Sequence, residues 1–244
     1  MKNKIQNVLN KFDDNLNKFK NKFKNILKFL GLFILFFTIS SIPIAIFGID
    51  ITKFSNIEVI VYSFICNIVY LIIIVSCYFK TLKKDFKPFF KNFINNLEEA
   101  FKYYFIGLAI MITSNLIITN LLNGGLGSNE EAVRNYINIA PFIMFLEVSL
   151  YAPFSEELLF RKSIRDIFKN KWIYVLVSGL IFGGLHVTQI NSLFDLLYLI
   201  PYCSLGFTFA YTYVKTDNIF STITIHALHN TTTIILYLIG ASLW

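Results

Sequence analysis

Cysteine is scarce in this chain of 244 residues: Cys66, Cys77 and Cys203 are the only three, and all fall within apolar runs. Without CxxC spacing or an extracellular framework they read as small buried hydrophobes, not as disulfide partners or redox centres. Charge is sparse too, at 15% of residues against 55% hydrophobic, with a mean hydropathy of +0.59. That excludes a soluble domain of ordinary composition. It also argues against nucleic acid as the reason for the net charge of +7, because a basic groove with stacking aromatics needs a soluble face. No internal repeat is visible, which weighs against a repeat-built transporter. A secretory leader is not expected either, since the polar lead is too long for a signal-peptide n-region.

What is present is a series of membrane-length apolar segments, approximately 29–49, 57–79, 103–122, 140–168, 172–187, 193–214 and 218–244. Ahead of them, residues 1–28 carry eight lysines. There Ile5, Val8, Leu9, Phe12, Leu16, Phe19, Phe23 and Ile26 repeat at three- and four-residue spacing, predicting a basic amphipathic helix lying on an anionic membrane surface. A short coiled coil is the weaker alternative, because the repeat lasts less than three heptads. The expected fold is therefore all-α, a multi-pass transmembrane helical bundle of about seven spans plus the N-terminal helix. Its domains are 1–28 and 29–244, with a chemistry-bearing core at about 140–244. The run from Gly124 to Asn129 reads as a flexible loop.

Lys and Arg set the orientation. Residues 1–28, 80–102 and 161–171 together with Lys215 hold 20 of the 22, leaving only Lys53 and Arg134 on the other side. The N-terminus is expected in the cytoplasm and the C-terminus outside. Abundant Lys, Asn, Ile and Phe point to AT-rich coding and a bacterial cytoplasmic membrane.

The stretch Pro153-Phe154-Ser155-Glu156-Glu157-Leu158-Leu159-Phe160-Arg161 breaks the fourth segment with charge. Inside hydrocarbon each such group costs ~3 kcal/mol on insertion scales, so it needs a partner and marks function. Glu157 and Arg161 are spaced i, i+4 with the acid first, which favours a mutually neutralised pair. Glu156 is rotated ~100° away and is left free, a candidate general base.

All three histidines lie in the last two-fifths of the chain. His186 follows Phe182 by one helical turn, and Gly183-Gly184 between them invites close approach of another helix. His226 and Asn230 share a helix face, while His229 points elsewhere and is assigned packing or support. Taken singly, each fits a helix-to-helix hydrogen bond. Counted at ~1.5 Å per residue from the cytoplasmic ends of their helices, however, Glu156, His186, His226 and Asn230 lie ~20, ~22, ~14 and ~20 Å deep. Four polar groups from three helices converge. One chemistry that fits is hydrolysis, with Glu156 and His186 activating water while His226 and Asn230 stabilise the oxyanion. The other is a zinc site built from Glu156, His186 and His226. The absence of HExxH favours the metal-free mechanism, which requires no cofactor. No histidine stands at motif distance from Ser155 or a cysteine, which disfavours a serine or cysteine nucleophile.

The motifs Glu156-Glu157-Leu158-Leu159-Phe160-Arg161 (EExxxR), Phe182 through His186 (FxxxH) and His226 through Asn230 (HxxxN) resemble those of the CaaX-protease and bacteriocin-processing (CPBP, or Abi) family of intramembrane proteases. All three stand complete and in order over about 80 residues; the first 135 residues add no motif. The resemblance implies a helical bundle around a polar cavity, with Glu156 and His186 activating water and His226 and Asn230 forming the oxyanion hole. One departure is Lys162, where many relatives have glycine after the motif arginine.

Together these readings predict an intramembrane endopeptidase acting on a peptide or a membrane-anchored protein, in peptide processing or bacteriocin self-immunity. A non-catalytic membrane scaffold is the rival. A transporter relaying protons through Glu147, Glu156 and Glu157 ranks third.

Overall fold

The computed structural model describes residues 2–122, 125–187, 189–190 and 193–240. Among these every regular element is helical. They are α1 (Lys2–Thr38), α2 (Ser41–Phe47), α3 (Asn56–Lys91), α4 (Phe93–Leu116), α5 (Ser128–Ile139), α6 (141–167), α7 (Lys171–Leu185), α8 (Leu199–Thr216) and α9 (Ile219–Leu238). Short helical turns at Ile51–Lys53 and Leu193–Tyr198 lead into α3 and α8, and a π turn at Ile117–Leu121 ends α4.

The bundle is apolar on its outside. Helix α3 buries Cys66, Tyr70, Ile74, Tyr78 and Leu82, one residue per turn along a single face. Its other faces expose Ile65, Ile72 and Phe79, and α4 exposes Phe105 and Ile106. Polar-tipped aromatics turned inward and bare aliphatics turned outward suit a lipid solvent. Helices Asn56–Lys91 and Phe93–Asn120 are each long and apolar enough to cross a membrane, and Leu9–Thr38 with Ser41–Phe47 makes a third candidate bent by 69°. Each of the seven expected apolar segments contains a helix, but α6 is interrupted by π turns and α7 is short. Helix α7 has 15 residues, or ~22 Å of rise.

Several boundaries differ from the sequence expectation. No break occurs at residue 28, because α1 runs from Lys2 to Thr38 as one helix. Of its apolar stripe, Leu9, Phe12, Leu16, Phe19 and Phe23 are exposed. The expected loop is only partly a loop: Gly125 to Gly127 is irregular, Ser128 and Asn129 already open α5, and Gly124 lies outside the described residues. The last helix ends at Leu238, and residues 241–244 also lie outside the description. All three cysteines are free, but only Cys66 and Cys203 are buried; Cys77 is exposed on α3.

Glycine places α8 at the centre. A Cβ on Gly183 of α7 would stand 2.7 Å from the backbone nitrogen of Cys203, so the two helices meet backbone to backbone there. Gly184, the other half of the pair, faces open space. At the far end, Asp85 of α3 accepts from the Ile219 amide at 3.1 Å and Asn218 donates to the Asp85 carbonyl at 2.8 Å, which caps α9 and fixes its start.

Candidate active site

Helix α6 carries the paired glutamates, and two π turns interrupt it, Glu147–Tyr151 and Glu157–Ser163. A π turn inserts a residue into the helix and offsets backbone carbonyls from their usual partners, a device frequent at functional sites. Here side chains from other helices take up the offset carbonyls. Asn230 Nδ2 donates to Val148 at 2.9 Å, and Ser178 Oγ donates to Phe160 at 2.7 Å. The third and second motif helices are thereby latched onto the first.

Between the two π turns lies Glu156, half-buried, with Oε2 screened from solvent and without a hydrogen-bond partner. Its neighbour Glu157 is fully buried and paired twice. Oε2 lies 3.1 Å from Arg161 Nε, and Oε1 accepts from His226 Nδ1 at 2.8 Å. The Arg161 guanidinium lies over the Phe182 ring at 4.3 Å from its centroid, so a π face offsets part of the desolvation of that cation. Phe182 is the hub. Its ring also meets the His186 imidazole at 4.4 Å and the His226 imidazole at 5.8 Å.

Hydrogen-bond chemistry fixes how each imidazole is presented. His186 Nδ1 is 2.8 Å from the Phe182 carbonyl, and a carbonyl only accepts, so Nδ1 carries the proton and Nε2 of the neutral ring is a free base. His226 Nδ1 likewise faces an acceptor, the Glu157 carboxylate. His226 can therefore donate from Nε2 only when both of its ring nitrogens carry protons. His229 Nδ1 meets the Tyr104 hydroxyl at 3.1 Å, which ties α9 to α4.

Glu156, His186, His226 and Asn230 all line one cavity of about 270 Å³, as do Phe182, His229 and Glu147. The four sequence-selected groups are thus brought together, and Glu157 and Arg161 sit behind them in the protein interior. Lys162, the departure from the family pattern, pairs with Asp166 at 2.5 Å, away from the cavity. Sequence reasoning missed the second partner of Glu157, which lies 69 residues along the chain and has no spacing signal. It also missed the role of Val148, whose carbonyl becomes a site feature only through the π turn.

Among the described residues no group of three or more His, Cys, Asp or Glu side chains is placed to hold a metal ion. Nδ1 of His186 is engaged by a carbonyl and Nδ1 of His226 by a carboxylate, which leaves Nε2 as the free nitrogen of each ring.

Residues 138–232, which contain all three motifs, match the family model described as type II CAAX prenyl endopeptidase Rce1-like. The chain is 34% identical over 113 residues to "Putative membrane peptidase YdiL" of Bacillus subtilis (strain 168), covering 45% of this chain and 43% of that protein. This match spans less than half the length of that relative. Over 220 residues it is 27% identical to "UPF0177 protein YaiH" of Lactococcus lactis subsp. lactis (strain IL1403), covering 87% of this chain and 90% of that protein. No solved structure matches.

Proposed function

We propose that the chain is a glutamate-dependent intramembrane endopeptidase of the CaaX-protease and bacteriocin-processing type, a reading supported by the Rce1-like match over residues 138–232. The observation that carries the reading is the cavity where Glu156, with a buried unpartnered oxygen, shares the lining with His186, His226 and Asn230. A bound water would be held by Glu156 and by Nε2 of His186. As the water attacks a peptide carbonyl, Glu156 takes its proton, and the carbonyl oxygen gains negative charge. Nε2 of His226, whose Nδ1 is held by Glu157, and the second N–H of the Asn230 amide donate to that oxygen. Glu156 then returns the proton to the departing amine as the C–N bond breaks. One water is consumed, and one carboxylate and one amine are released.

The bilayer excludes bulk water from this chemistry, and seven spans with a cytoplasmic N-terminus and an external C-terminus are the topology that fits the lysine and arginine distribution. The substrate class is a peptide or the end of a membrane-anchored protein in a bacterial cytoplasmic membrane, in peptide-precursor processing or self-immunity to a bacteriocin. The test is incubation of the purified protein in liposomes with membrane-inserting peptides, read by mass spectrometry. Product pairs whose masses sum to the substrate plus one water are expected. Intact peptides throughout, from a protein that stays folded, would favour the scaffold instead.

A further inference from the structure

Among the described residues, three carboxylates line the cavity, Glu130, Glu147 and Glu156, and no lysine or arginine does. Glu130 is neutralised by Arg134 at 2.7 Å, and Glu156 has a part in the proposed chemistry. Glu147 has neither. It stands at the first π turn of α6, where Asn67 of α3 donates to its Oε1 at 2.5 Å. Its Oε2 is shielded from solvent and has no hydrogen-bond partner. An amide from a second helix thus fixes the carboxylate in place while half of its acceptor capacity goes unused. A buried acceptor left this way costs free energy that a donor from a ligand would recover.

The position says which ligand. Glu147 precedes Glu156 by nine residues on the same helix, ~13 Å along its axis. An extended peptide advances ~3.3 to 3.6 Å per residue, so this is the reach of three to four residues from the bond being cut. A lysine or arginine side chain shortens that count. With Lys and Arg missing from the lining among the described residues, a cationic group of the substrate would supply the countercharge.

We propose that Glu147 is a specificity residue that binds a cationic group of the substrate, an amine or guanidinium within four residues of the scissile bond. This rests on the endopeptidase reading above. Glu147 takes no part in bond breaking; it holds the peptide in register with Glu156. Two sources supply the chemistry, a basic side chain or the free amino terminus of a short peptide.

Two readouts separate this proposal from the one it rests on. The first is binding, measured with Glu156→Gln protein in detergent micelles and fluorescein-labelled Leu/Ala decapeptides carrying one central Lys or norleucine. The Lys peptide should bind about tenfold to a hundredfold tighter than the norleucine peptide, and adding Glu147→Gln should bring the two affinities together. Glu147→Asp, which keeps the charge, should retain part of the preference and serves if the Gln variant does not fold. Acetylating the peptide amino terminus distinguishes the sources: a preference for Lys that survives assigns the side chain, and tightening by a free terminus that Glu147→Gln removes assigns the amine. The second readout is cleavage of the same peptides by wild-type protein, whose failure would count against the endopeptidase and leave the binding result standing. Equal affinity of all four peptides, Lys and norleucine, free and acetylated, or a preference that persists in Glu147→Gln, would overturn the assignment.

Discussion

Glu157 serves two partners that pull on different properties of the protein. Its contact with Arg161 keeps a guanidinium from being buried unpaired, and its contact with His226 fixes which imidazole nitrogen carries the proton. Glu157→Gln should therefore lower both the yield of folded protein and the activity of what folds, whereas Glu156→Gln should lower activity alone. Size-exclusion profiles beside cleavage rates check this, and full specific activity in folded Glu157→Gln would dissociate His226 from its carboxylate. In the third motif, His226→Ala and Asn230→Ala should each cost about 10²- to 10³-fold in rate, the usual loss of one oxyanion donor. His229→Ala should keep most activity, since its ring nitrogen is spent on Tyr104; loss confined to that variant would reassign the histidines. The Glu157–Arg161 pair was legible in the sequence because both partners lie one turn apart on one helix. The Glu157–His226 pair was not, because nothing local links residues so far apart in the chain.

Elements show the same division. The apolar segments were long enough to be read as helices, but the π turns of α6 leave no signature in composition or period, and they decide where Val148 and Phe160 present their carbonyls. Helix α5 was missed because its polar, acidic first turn follows glycines and resembles a loop. The glycine pair of the second motif offered close approach at two positions, and packing uses one. Gly183→Ala drives a methyl into the Cys203 backbone and should destabilise the protein by about 1 to 3 kcal/mol. Gly184→Ala meets nothing and should be neutral or stabilising by up to about 1 kcal/mol, since glycine is a poor helix former. Thermal unfolding in detergent distinguishes them, and equal midpoints would contradict the packing described for α7 and α8.

At the scale of the whole molecule, an apolar exterior surrounds a cavity whose polar lining comes from helices far apart in sequence. Depth counting placed the four groups within about a turn and a half of one another, because helical rise is uniform. Span count is harder to read, since π turns interrupt α6 and α7 has only 15 residues. Reporter fusions before Lys2 and after Leu238 should report the cytoplasm and the exterior respectively; both termini on one side would remove one span from the seven. The central claim is that the free carboxylate of Glu156 activates water. The most direct measurement is the cleavage rate of one liposome-embedded peptide by wild-type protein and by Glu156→Gln, with unfolding midpoints for both. Loss of at least about 10²-fold in rate at an unchanged midpoint is the predicted result. A Glu156→Gln protein that cleaves at the wild-type rate would contradict it.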